Sequence, residues 1–326
     1  MISVPAAGVP SPGSHGGDGA GVAAALGVDP AAVLDLSASF NPVAPDPGAI
    51  VARHVDAIAR YPDAGPAAEA LATAMDVDGN RLLLTNGGAE AIALVATELG
   101  RGWADPCDFA LYRRHLSQLD PGGPRFRSNP HNPTGRLAAP DDVAEVWDEA
   151  FYPLATGHWT RGDAAIVVGS LTKLFACPGL RLGYVLAPDA DLIERLALRQ
   201  PRWSVNGLAA AALPELLAIA DLAGWAAAVA ELRDALVKLL RAHDLDPQPS
   251  DANYVVCARA PGLRERLAPH GVLVRDCASF GLPGQARVAV PDVEGLARLE
   301  AALEDIAGGN RRLCPPDGEE AACAAG

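Results

Sequence analysis

Residues 164–181 read AAIVVGSLTKLFACPGLR: an apolar run closing on Ser170, Thr172 and Lys173, with Arg181 eight residues beyond the lysine. A short apolar stretch rich in Ile and Val and bounded by glycine predicts a buried strand. A lysine at the end of such a strand loses water around its ammonium. That lowers the amine's pKa and suits it to covalent attachment of a carbonyl compound. A lone lysine snorkelling from a strand edge is the plainer alternative. Among 26 basic residues only Lys173 and Lys238 are lysines, and Lys238 lies in ELRDALVKLLRAH with Asp234 four residues before it, a solvated helical pair. Chemistry that needs an amine therefore falls to Lys173.

Outward from that stretch, apolar runs alternate with helical periodicity. Strands are predicted at 81–86 (RLLLTN), 163–169, 253–257 (NYVVC), 271–275 (GVLVR) and 285–290 (QARVAV). Helices are predicted at 89–99, 189–198, 208–243 with a break at Pro214, and 293–306. Such alternation predicts an α/β fold built on a central, mostly parallel sheet flanked by helices. Four parts are expected: an N-terminal arm (1–40) whose first 19 residues order only against something else, a large domain (41–207), a connecting helix with a smaller C-terminal α+β domain (208–307), and a disordered tail (308–326).

Three further stretches carry chemistry. Thr85-Asn86-Gly87-Gly88-Ala89-Glu90 opens a helix, where backbone N–H groups and the helix dipole favour a phosphate or carboxylate, although a plain turn fits the same glycines. Asn129-Pro130-His131-Asn132-Pro133-Thr134-Gly135 is a rigid turn-rich segment able to aim an amide at a ligand, or simply a loop. Asp148 in VWDEAFY sits between apolar and aromatic residues, where a buried carboxylate needs a cation or donors; a surface carboxylate is the alternative. No G-x-G-x-x-G occurs, and neither lysine follows a glycine as a P-loop requires.

Taken in order, these pieces resemble the fold type I pyridoxal-phosphate enzymes, the class I/II aminotransferase superfamily. Within it, His15-Gly16-Gly17-Asp18, LDLSASFNP (34–42), Arg60-Tyr61-Pro62, Trp203-Ser204-Val205-Asn206 and Val274-Arg275-Asp276-Cys277 look like the branch holding histidinol-phosphate aminotransferases and the L-threonine-O-3-phosphate decarboxylases of cobalamin biosynthesis. The resemblance implies pyridoxal 5'-phosphate held covalently by Lys173. The cofactor's phosphate would lie on the N–H groups of Gly88 and Ala89 with Ser170 and Arg181, and Tyr61 would reach it from a second subunit. Asn132 would meet the ring hydroxyl, Asp148 the ring nitrogen, and Phe109 the ring face, with Tyr112 as runner-up. Arg287 would grip the substrate carboxylate, while His15, from the partner's arm, and Arg275 would favour a phosphorylated amino acid.

This chain departs from the family pattern at Ala89, where a serine is usual, and at Phe151, where many aminotransferases carry tyrosine. Only 38 residues separate Glu90 from Asn129 and 12 separate Gly135 from Asp148, so a shortened large domain is expected. The implied activity is the decarboxylase, with an aminotransferase as alternative and a trimmed non-catalytic binding protein as a third reading.

A net charge of −14 gives no electrostatic footprint for nucleic acid or anionic membranes. The six cysteines form no C-x-x-C pair and no zinc-type cluster, which points to a reducing compartment and no metal. The N-terminus lacks the charged and apolar regions of a secretory signal, and a cytoplasmic homodimer acting on a small molecule is the expectation.

Overall fold

The computed structural model describes residues 9–13, 15–162 and 165–309. In chain order the strands are β1 (Leu34–Leu36), β2 (Leu82–Asn86), β3 (Arg101–Gly102), β4 (Gln118–Leu119), β5 (Phe126–Ser128), β6 (Val146–Asp148), β7 (Ile166–Ser170), β8 (Leu182–Leu186), β9 (Tyr254–Cys257), β10 (Val272–Asp276) and β11 (Ala286–Ala289). Three sheets result: β2-β8-β7-β6-β5, β1-β10-β11-β9, and the small β3-β4 pair.

In the five-stranded sheet β5, β6 and β7 pair in parallel, while β8 runs antiparallel to both β7 and β2. Four strands thus share one direction and one opposes them. The sheet is buried on both faces, so its strands read as continuous apolar runs, and alternate side chains serve opposite cores. Trp147, Val167, Leu182, Tyr184 and Leu186 face one core with Leu71 and Leu213 from the helices Gly65–Met75 and Gly207–Ala218. Val146, Ile166, Val168 and Val185 face the other with Ile92, Val95 and Leu196 from the helices Gly87–Leu99 and Ala190–Arg199.

The four-stranded sheet carries a separate core of Val255, Val274 and Val288, covered by Leu236, Leu240 and Leu299 of the helices Leu222–Ala242 and Val293–Ala307. Its outer strand comes from the N-terminal segment, since β1 pairs in parallel with β10. The segment expected to be an arm therefore contains a helix, Gly19–Leu26, and a strand of the C-terminal sheet. Residues 1–8 and 310–326, which include most of the expected tail, and residues 163–164 of the predicted strand lie outside the described residues.

Pro214 does not break the long helical stretch. It lies inside the helix Gly207–Ala218, where Ala and Leu neighbours keep the helix going despite one missing N–H. The break comes at 219–221, where the Asp221 carboxylate accepts the Gly224 N–H at 2.9 Å and starts the helix Leu222–Ala242 at 84° to its predecessor. Among the described residues no single helix is long and apolar enough to cross a membrane.

Candidate active site

Lys173 does not end a strand: β7 stops at Ser170 and the lysine sits in the single helical turn Leu171–Leu174 that follows. The N–H and side-chain amide of Asn41 donate to the carbonyls of Lys173 and Leu174 at 2.9 and 3.0 Å, fixing the turn against residues 39–41. The ammonium rests over the Phe40 ring, 4.6 Å from its centroid, and no described carboxylate lies within ion-pair distance. Burial, helped by the Arg287 and Arg181 charges, lowers its pKa to about 8, with Asp35 pulling weakly the other way.

The β2-to-helix turn forms a cradle beside the lysine. Gly87 has φ of 78°, a region that favours glycine, and the Arg181 guanidinium lies so close that a Cβ at Gly87 would stand 2.5 Å from Nη2. Gly183 on β8 faces the same turn, and a Cβ there would collide with the Gly87 carbonyl carbon and the Gly88 nitrogen. Ser170 lies alongside, its Cβ 3.3 Å from where one would stand on Gly88, and its hydroxyl meets Thr172 at 2.9 Å. Backbone donors of a thirteen-residue helix, a hydroxyl and a guanidinium thus converge where an anion can approach the backbone closely.

Asp148, at the end of β6, accepts the Tyr112 hydroxyl at 2.8 Å and the Ala150 N–H at 3.0 Å. Burial pushes its carboxyl up to about 6, a cost that these two donors offset only in part. Ionised, it lacks a cation among the described residues. Phe109 stands edge-on between Tyr112 and His15, with ring centroids 5.8 and 5.5 Å away. Tyr112 is spoken for by Asp148, which leaves Phe109 as the accessible ring.

Arg287 on β11 is 6% exposed. It donates to Asn132 Oδ1 at 2.6 Å and to the Ser37 carbonyl at 3.1 Å, and lies over the Tyr254 ring at 4.7 Å. Its Nε is buried with no hydrogen-bond partner. Directly opposite in the β10–β11 register is Arg275, so the two guanidinium groups project from the same face of the sheet. Arg275 donates to the Gly13 carbonyl at 2.8 Å and to the Ser279 hydroxyl at 2.6 Å. His15 lies near Arg275 and Arg114, and burial together with these cations lowers its pKa. The histidine packs on Phe109. The glycine-rich segment folds back along the C-terminal sheet.

Tyr61 stands apart, 78% exposed and stacked on the exposed Trp203 at 4.4 Å. Sequence reasoning missed Asp108, a fully buried carboxylate that accepts the Ser128 hydroxyl at 2.5 Å and the Ser128 and Phe109 N–H groups. Ser128 in turn accepts the Asn132 N–H at 2.7 Å. This chain of bonds ties Phe109 to Asn132, and the residue preceding Phe109 was its only sequence cue.

Residues 107–304 match the family model described as aminotransferase class I and II. The chain is 32% identical to the threonine-phosphate decarboxylase of Salmonella typhimurium over 93% of its own length and 98% of that protein's. It is 30% identical to histidinol-phosphate aminotransferase 1 of Nitrosococcus oceani, covering 84% and 88% of the two chains. Its fold superposes on the histidinol-phosphate aminotransferase from Sinorhizobium meliloti in complex with pyridoxal-5'-phosphate with a TM-score of 0.76 at 16% identity, over 95% and 98% of the two chains. Against the L-threonine-O-3-phosphate decarboxylase from Porphyromonas gingivalis the TM-score is 0.68 at 23% identity, over 80% and 95%. Motif order, sheet topology and these likenesses agree: the chain is an enzyme of the aminotransferase class I and II family.

Proposed function

We propose that this enzyme uses pyridoxal phosphate to decarboxylate L-threonine O-3-phosphate, yielding aminopropanol phosphate for cobalamin biosynthesis, as a cytoplasmic homodimer. The observation that carries this reading is the pair Arg275 and His15 beside Arg287: a second guanidinium and an imidazole N–H donor beyond the one cation a substrate carboxylate needs. The identity to the Salmonella decarboxylase over nearly the whole chain adds weight.

The residues fit the cofactor. Among the described residues, a desolvated lysine without an ion-pair partner, a buried carboxylate lacking a cation, and a glycine cradle with no room for a Cβ at Gly183 are features that a phosphorylated pyridine aldehyde would satisfy. Lys173 would hold it covalently, with Gly88, Ala89, Ser170 and Arg181 on the phosphate. Tyr61 from the second subunit would complete that set, consistent with its exposure. Asp148 would pair with the ring nitrogen and Phe109 cover the ring face. Asn132, whose Oδ1 serves Arg287, would keep its amide N–H for the ring hydroxyl. Bound there, pyridoxal phosphate supplies an electron sink for the bond broken at the substrate's α-carbon.

The chain's own residues do the rest. Arg287 orients the carboxylate through its planar fork, held in place by Asn132 and Ser37. Arg275 and His15 hold the phosphate, so two anchors fix rotation about the α-carbon. Lys173, with a pKa of about 8, can carry a proton to or from that carbon near neutral pH. The Arg287–Asn132 grip also favours a second reading, transamination, because a firmly held carboxylate is one the enzyme retains.

Incubating the loaded enzyme with L-threonine O-3-phosphate and no keto acid decides between them. Several equivalents of carbon dioxide per site are expected; a single turnover rescued by 2-oxoglutarate would establish the aminotransferase. The cradle has its own test. Gly183→Ala forces a methyl into the Gly87–Gly88 backbone, an overpacking cost of about 1–3 kcal/mol, and should weaken cofactor affinity ~5- to 150-fold in a fluorescence titration.

A further inference from the structure

The glycine-rich segment carrying His15 is tied down by several contacts. Gly17 N–H donates to the Ser37 hydroxyl at 2.9 Å, and Gly19 N–H to the Asp35 carboxylate at 3.1 Å. Asp35 also accepts the Ser37 N–H at 2.9 Å and its hydroxyl at 2.5 Å, so one carboxylate orients the serine and holds the segment at once. Gly16 packs so tightly on the Ser37 carbonyl that a Cβ there would collide with it. Farther out, the buried Arg264 binds the Pro10 carbonyl and the Asp18 carboxylate, both at 2.8 Å. Asp18 lies between Gly17 and Gly19, so Arg264 holds the stretch beside the Ser37 and Asp35 contacts and again at Pro10.

The inner end of this clasp meets the site. The Ser37 carbonyl that abuts Gly16 is the one that accepts Arg287, and the Gly13 carbonyl accepts Arg275. Positioning of His15 is therefore coupled through Ser37 to the carboxylate-gripping arginine, and through Gly13 to the second arginine.

We propose that Asp35 and Ser37 are positioning residues, a latch that holds the glycine-rich segment against Phe109, Arg275 and Arg287 and so sets the preference for phosphorylated over unphosphorylated amino acids. The latch rests on the functional reading above, because it acts through the His15–Arg275 pair assigned to the phosphate. It touches neither substrate nor cofactor; it fixes how far His15 can stray from Arg275. Without it, a phosphate loses one organised contact that a plain amino acid never makes, while any shift passed through the Ser37 carbonyl to Arg287 falls on both substrates alike.

Two variants reach the latch from opposite sides: Ser37→Ala removes the hydroxyl that Gly17 and Asp35 share, and Gly16→Ala wedges the segment away while leaving both latch side chains intact. In each, amide hydrogen exchange at Gly17 and Gly19 should speed up at least ~5-fold, the worth of one modest hydrogen bond. The ratio of kcat/KM for L-threonine O-3-phosphate to that for L-threonine should fall at least ~10-fold, chiefly through KM. Cofactor loading, read by absorbance, should stay at the wild-type level. Unchanged exchange, or faster exchange with an unchanged ratio, overturns the latch. A wild-type enzyme that does not prefer the phosphorylated amino acid overturns the functional reading instead.

Discussion

Lys173→Ala is expected to lower turnover by ~10²- to 10⁴-fold, the range for loss of a positioned proton-transfer group, and to abolish covalent retention of the cofactor. Borohydride reduction followed by peptide mapping reads the second effect directly. Wild-type protein should carry one pyridoxyl group on the peptide containing Lys173, and the variant none. The chain offers one competitor: Lys238 lies exposed on the helix Leu222–Ala242, where nothing desolvates it. Label on Lys238, or no label at all, would refute the assignment.

The electrostatics of Lys173 add a pH signature. Its pKa is lowered from 10.5 to about 8, so the neutral, nucleophilic amine is about half populated at pH 8, against roughly 0.3% for an ordinary lysine. The shift disfavours the charged form, so cofactor uptake by the apoprotein should rise through pH 7–9 and level off above. An uptake rate still climbing at pH 10 would mean that the ammonium is solvated after all.

Legibility in the sequence followed the range of each interaction. The lysine turn, the glycine turn and the Arg287 strand were readable because each signal is local: a hydrophobic run, its terminator and a charged residue within a few positions. β8 was not: no strand was expected at 182–186, and one buried on both faces would have read the same in either direction. Long-range bonds escaped for the same reason. Tyr112 and Asp148 are separated by 36 positions, Asp108 and Ser128 by 20, and Asp35 and Gly19 by 16, with no periodicity to link them. His15 shows the cost of this: its motif was visible, but its seat on Phe109 of the same chain depends on a clasp that only the tertiary structure contains.

Arg287→Ala should weaken substrate far more than cofactor. The guanidinium is buried and engaged on two sides, so its removal strands the Asn132 and Ser37 oxygens and leaves an incoming carboxylate without its fork. Losing one partner of a buried, hydrogen-bonded charge pair costs about 2–5 kcal/mol, or roughly 30- to 5,000-fold in affinity. Arg287→Lys should recover little, because an ammonium cannot present two parallel donors to a carboxylate while also bonding Asn132 and Ser37. Of the cofactor's proposed anchors only Asn132 bonds Arg287, while Lys173, the Gly87–Gly88 cradle and Asp148 do not, so loading should largely persist. The arginine also helps hold the lysine's pKa down, and without it the amine becomes more basic and the uptake profile moves to higher pH. Isothermal titration with substrate and absorbance titration with cofactor separate the two effects. A fall in cofactor occupancy with unchanged substrate affinity would show that Arg287 serves the cofactor and that the substrate carboxylate lies elsewhere.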